Sequence, residues 1–253
     1  MPDSVKDTNI MSDIMDIGIV CSHLLETRTV VSLLTNTRKE RFSLFAGYTG
    51  NLYGLSCAIL ESGMGADRAY LAAKQIISLF KPCVILDFGV AAGVNPALSP
   101  GMVFLAEKAR DLTSFVRLWE AQDPFFSSTQ HLPGNMDIEE IPMSSEILAQ
   151  VRNKSDVKTG MAGSADFFLR SSLVREELGR RGIDIFDYET FSVVKAASES
   201  GIPVLSIRGV SDLGNDSAQE GFRKNFQNAL VQAGDFLPIF SGICFDCIRN
   251  SIR

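Results

Sequence analysis

The segment FDYETFSVVKAASESGIPVLSIRGVSDLGND (186–216) carries two acidic groups, Glu189 and Asp212, at the edges of a run that otherwise reads as buried apolar structure. Glu189 falls where a strand, IDIFD, hands over to a helix, YETFSVVKAASESG. Asp212 falls just past the carboxyl end of a second strand, IPVLSIRGVSD. A carboxyl at an apolar strand end loses hydration, which raises its pKa toward that of a group able to donate a proton near neutrality. Ligands of open α/β sheets bind at that edge. Taken singly, Asp212 also suits the turn after a strand, and Glu189 suits an acidic residue in a first helical turn, placed there for the helix dipole.

Other reactive residue types give less. The five cysteines, Cys21, Cys57, Cys83, Cys244 and Cys247, are odd in number and irregularly spaced, so reduced thiols are expected. The CFDC run near the end has no second cysteine pair, and the two histidines, His23 and His131, are distant in sequence. It reads as two thiols on a terminal helix, and no metal is expected.

The elements that would position the carboxylates follow from periodicity. DIGIVCS (16–22) is a β-rich run, and HLLETRTVVSLL has its leucines and valines at helical spacing. RFSLFAGYTGNLYGLSCAILESG holds two strand-like runs split by Gly50 and Asn51, which predicts a hairpin turn there. GADRAYLAAKQIISLF places Ala69, Ala72, Ala73, Ile76, Leu79 and Phe80 on one helical face, before the apolar strand of PCVILDFGVAAG. GMVFLAEKA and VKTGMAGSADFF read as strands, SLVREELGRRG as a helix ending at Gly182, and residues 110–145 as irregular. Ser217 and Glu220 predict a capping box for a long last helix. This alternation implies an α/β sandwich around a mostly parallel or mixed sheet.

Composition narrows the partner. The chain has 253 residues, 45% hydrophobic and 21% charged, enough for one sizeable core. A net charge of −6, with no Lys/Arg cluster, argues against nucleic acid and for a small-molecule partner. The start, MPDSVKDTNIMSDIMD, lacks the positive and apolar parts of a secretory signal, and no apolar run reads as membrane-spanning, so a cytoplasmic protein without membrane contact is expected.

The ordered motifs DIGIVCSHLLE, ILESGMG, FGVAAG, GSADFFL, DYET and IRGVSD resemble the purine and uridine phosphorylase superfamily, and most of all its methylthioadenosine/S-adenosylhomocysteine nucleosidases. The resemblance spans roughly residues 16–240. It implies a three-layer α/β sandwich with a central mixed, largely parallel sheet, residues 1–15 forming a polar extension and 16–253 a single domain. It also implies hydrolysis of the bond between a purine-like base and ribose, without a cofactor, in a homodimer. By the same resemblance Asp212 is the general acid toward the base, and Glu26 the carboxylate that activates water. Glu189 holds the ribose hydroxyls beside a developing sugar cation. Phe168 stacks on the base and Leu169 reads its edge through the backbone. Gly63 and Gly89, with Val90, Tyr188 and Ser211, complete the substrate contacts.

Departures bear on the nucleophile and the substrate. Phosphorylases place an arginine and a hydroxyl where this chain has Asp87 and Val90, so phosphate is expected to meet negative charge and an apolar wall. Their N-terminal phosphate clamp is replaced by CSHLLE, and Tyr188 stands where the nucleosidases usually have Met. The 5′ substituent is left open among methylthioadenosine, S-adenosylhomocysteine, 5′-deoxyadenosine and futalosine types. A phosphorylase with another anion site, and a non-catalytic storage relative, are the alternatives.

Overall fold

The computed structural model describes residues 14–120 and 139–251; most of the polar extension, His131 and the middle of the 110–145 stretch lie outside the described residues. The elements are β1 (Ile17–Cys21), α1 (Leu24–Val31), β2 (Leu34–Phe42), β3 (Phe45–Leu52), β4 (Leu55–Glu61), α2 (Ala66–Phe80), β5 (Val84–Gly93), β6 (Val103–Asp111) and α3 (Thr113–Glu120). They continue as β7 (Glu140–Pro142), α4 (Ser145–Lys154), β8 (Lys158–Ser164), α5 (Ser172–Arg180), β9 (Ile185–Asp187), α6 (Thr190–Glu199), β10 (Val204–Asp212), α7 (Ala218–Asp235) and α8 (Leu237–Ser251).

The sheet is mixed, as the alternation of elements requires. Its centre, β4-β1-β5-β10, is parallel, and these strands are apolar because helices cover both faces. Beyond that centre the chain does something periodicity does not show. β10 pairs antiparallel with β6, β6 parallel with β8, β8 parallel with β9, and β9 antiparallel with β5, and the β5–β10 pair closes a circuit of five strands. Successive residues of β10 face opposite helices: the backbone of Ala229 on α7 crowds Gly209, whereas the Arg208 side chain meets Thr190 at the start of α6.

Two local expectations fail, and one strand has no sequence signal, for identifiable reasons. Gly50 and Asn51 lie inside β3, opposite Cys57 and Ser56; the turn is at Tyr53 and Gly54, both with positive φ. That register buries Leu52 and Leu55, which a turn at Gly50 would not pair. β2 is a polar edge strand, LTNTRKERF, with no apolar alternation to announce it. Ser217 does precede α7, but with φ −97° and ψ 8° its side chain makes no cap; Asn215 Oδ1 instead accepts from Ser217 N at 3.0 Å.

Of the 110–145 stretch, the two described ends form α3 and β7 rather than irregular chain. The run Ala218–Asp246 is, contrary to expectation, long and apolar enough to cross a membrane by length and composition. More than half of its most apolar 18-residue window is buried, with Leu230, Phe236, Leu237 and Phe240 in the core, which is the pattern of a core helix pair. Cys244 is buried on α8, and the Cys247 side chain lies outside the description.

Candidate active site

The carboxyl ends of β1, β5, β8, β9 and β10 open into a cavity of about 240 Å3, room for one small molecule rather than a polymer. Glu26, Val90, Phe168, Leu169, Tyr188, Glu189, Ser211 and Asp212 all line it, drawn from five separate segments. Gly63 and Gly89 do not line it but shape what does. Gly63 and Gly65 have φ of +76° and +110°, which bends the SGMG loop so that Gly65 N donates to Glu189 Oε1 at 3.0 Å.

Asp212 is 2% exposed. The register of β10 against β5 shifts between Val210 and Asp212, and this bulge turns the carboxyl into the cavity. Gly214 N donates to Oδ1 at 2.9 Å and Ser211 Oγ to Oδ2 at 2.8 Å. Burial pushes its pKa up against these two hydrogen bonds, with no cation opposing it.

Glu189 lies at the N-terminus of α6, which Asp187 caps by accepting from the backbone N–H groups of Glu189 and Thr190. Burial, then the neighbouring Asp187, push the Glu189 pKa up to about 8 against the pull of Arg208. Glu26 is in the first turn of α1 and 3% exposed. Its Oε2 accepts from Ser22 N, Ser22 Oγ and His23 N at 2.9–3.0 Å, and Oε1 from Val90 N at 3.2 Å. Burial raises its pKa; Arg208 and these donors lower it in part.

One wall is aromatic. Phe168 meets Phe222 edge-on at 6.1 Å, Phe222 tilts onto Phe226 at 4.8 Å, and Phe226 meets the His23 ring at 5.5 Å. Phe222 and Phe226 are one helical turn apart on α7, and His23 is the N-cap of α1. Tyr188 is half-buried, and burial followed by Glu189, Asp166 and Asp212 pushes its hydroxyl up to about 12, so it stays a neutral phenol.

Asp87 is where the sequence expectation needs correcting. It does not face the cavity; it is buried beneath it, paired with the Nη2 of Arg208. Repulsion of phosphate by a bare Asp87 therefore has no basis here. Arg208, 1% exposed, also bonds Asp187 through Nε at 2.9 Å, and Thr190 Oγ1 accepts from both Nε and Nη2. Burial works against its charge, but Asp87, Asp187, Glu26 and Glu189 outweigh that and raise its pKa. The signal for this network was an arginine inside the otherwise apolar run VLSIRGV, since a charge in a buried strand requires partners. Among the described residues, no group of three or more His, Cys, Asp or Glu side chains is placed to hold a metal ion.

Residues 16–239 match the sequence profile of the phosphorylase superfamily. The chain belongs to that superfamily. Among its relatives, the 5′-methylthioadenosine/S-adenosylhomocysteine nucleosidase of Halalkalibacterium halodurans is 24% identical over 89% of this chain and 97% of its own. The enzyme of the same name from Buchnera aphidicola is 25% identical over 89% and 95%. The fold is that of solved superfamily members. The MTA/SAH nucleosidase of Streptococcus pneumoniae in complex with 8-aminoadenine has a TM-score of 0.77 at 20% identity, over 89% of this chain and 98% of that one. Futalosine hydrolase of Helicobacter pylori gives 0.76 at 19%, over 90% and 98%.

Proposed function

We propose that this superfamily member hydrolyses the N-glycosidic bond of a 5′-substituted adenosine-like nucleoside, of the methylthioadenosine or S-adenosylhomocysteine type, to free base and free sugar. The observation that carries the reading is the convergence of three buried carboxylates, Glu26, Glu189 and Asp212, on one aromatic-walled cavity. Such a set of raised carboxyl groups is costly to a fold and useful to a reaction.

In this reading Asp212 enters protonated and donates to the free imidazole nitrogen of the base as the bond to the anomeric carbon breaks, so the electron pair leaves on a neutral base. Glu189 accepts from the ribose hydroxyls, and its ionised form is favoured as the sugar becomes cationic. Water adds to the anomeric carbon and its proton passes to Glu26; solvent then restores both carboxyl groups. Phe168 stacks on the base and Leu169 reads its edge. Val90 keeps an apolar surface where a phosphate ligand would stand, and the Arg208 charge is already neutralised by Asp87 and Asp187. A homodimer and a cytoplasmic location belong to the same proposal.

The test is incubation of the pure protein with a panel of nucleosides differing at the 5′ position, with and without phosphate. Free base from a 5′-substituted adenosine in phosphate-free buffer is expected. Turnover that requires phosphate would favour a phosphorylase, and binding without turnover a storage relative.

A further inference from the structure

Arg208 is the one basic residue buried among the described residues, and it is held along a single edge of its guanidinium. Nε donates to Thr190 and is ion-paired with Asp187, and Nη2 donates to Asp87 and Thr190. Nη1 makes no hydrogen bond to the protein among the described residues. It lies against Gly89, the residue beside Arg208 in the β5–β10 register, and a Cβ there would overlap both Nη1 and Glu26 Oε1. The two groups thus face each other across a missing side chain, without an ion pair between them. A polar gap of this kind suits a water that donates to the carboxylate and accepts from the guanidinium.

The guanidinium is anchored by Asp187 on Nε and by Asp87 on Nη2. Ser206 Oγ donates to Asp87 Oδ2 at 2.8 Å, and Thr190 Oγ1 lies 2.9 Å from the same oxygen. If Asp87 loses its charge, Asp187 remains on Nε and Glu26 is the next carboxylate acting on the guanidinium, so a direct pair through Nη1 would fill the gap and bind the lone pair that must take the proton. We propose that Asp87 is a positioning residue, which keeps Arg208 turned away from Glu26 so that the carboxylate stays free to accept a proton from water. Asp87 acts through Arg208 and touches no substrate. The groups facing this cluster are Arg208, Asp187, Ser206 and Thr190 around Asp87, and Arg208, Cys21, His23, Ser22 and Glu189 around Glu26. Of these, Arg208 is the strongest influence lowering the Glu26 pKa.

The inference rests on the nucleosidase reading, and Asp87→Asn separates the two. The substitution keeps the size of the side chain and removes its charge. In the variant kcat is expected to fall roughly 10–10²-fold, the size of loss that a misplacement of about 1 Å produces. KM should stay within about twofold, since Asp87 does not line the cavity. The acid limb of kcat/KM should move to lower pH, because Arg208 released toward Glu26 stabilises the carboxylate. A folded variant with native kcat and an unmoved acid limb overturns the inference and leaves the nucleosidase reading intact. No base release by the native protein instead defeats that reading. Should Asp87→Asn not fold, Ser206→Ala is read in its place: it removes one hydrogen bond from Asp87 and no charge. A fall in kcat of about threefold or more at unchanged KM supports the inference, and native kcat overturns it.

Discussion

Replacing Glu26 by Gln removes one charge and keeps the shape, and the consequence can be worked out atom by atom. Glu26 accepts four hydrogen bonds: three on Oε2, from Ser22 N, Ser22 Oγ and His23 N, and one on Oε1 from Val90 N. A glutamine has one oxygen. If it takes the place of Oε2, the amide NH2 faces Val90 N–H and Arg208 Nη1, all of them donors. The variant then loses a hydrogen bond to a charged acceptor and gains an unmatched contact, a cost of about 1.5–3 kcal/mol. In a chain of this length each kcal/mol lowers the melting temperature by about 2–4 °C, so the variant folds but melts measurably earlier. The effect on chemistry is larger. With no lone pair directed at the water, turnover should fall by roughly 10²–10⁴. Affinity for an unreactive nucleoside analogue should change far less, because the proton is transferred only in the transition state. Steady-state release of free base gives the first quantity, and calorimetry with the analogue the second. Equal losses in rate and affinity would make Glu26 a ligand contact, and native turnover in the folded variant would refute its role altogether.

Two further outcomes follow from the other carboxylates. Asp212→Asn should lower turnover by roughly 10²–10⁴ with the fold intact, since no cation depends on that carboxyl; a folded variant with near-native turnover ends its assignment as the acid. Glu189, raised from an ordinary 4.5 to about 8, keeps its proton in the folded protein over a range where the unfolded chain has lost it. The folded state then binds more protons between pH 4.5 and 8, so stability should fall as pH rises through that window, with a slope of at most about 1.4 kcal/mol per pH unit from this group. Urea unfolding across that window measures it, and Glu189→Gln should flatten the slope; an unchanged slope would place the proton elsewhere.

The order of elements was legible because each of the central strands and the helices flanking them keeps its own period, and Glu189 and Asp212 stood out as acids bordering apolar strands. Eight of the ten residues expected as contacts line one cavity. What stayed hidden depends on contacts distant in sequence. The clamp on Arg208 joins Asp87, Asp187, Thr190 and Ser206 from β5, β9, α6 and β10, so Asp87 read alone looked like a bare charge in the site. The aromatic wall likewise joins His23 to Phe226 across most of the chain. The turn at Tyr53 and Gly54 was missed because burial of Leu52 and Leu55 outweighed the turn preference of Gly50 and Asn51.

In the proposed reaction, water activated beside Glu26 replaces the base at the anomeric carbon. The most direct test is turnover of methylthioadenosine by the native protein in 18O-labelled water containing phosphate, with mass spectrometry of the products. Free adenine and a free sugar carrying one solvent oxygen at the anomeric position are expected, at a rate independent of phosphate. A sugar 1-phosphate as the main product would contradict this reaction.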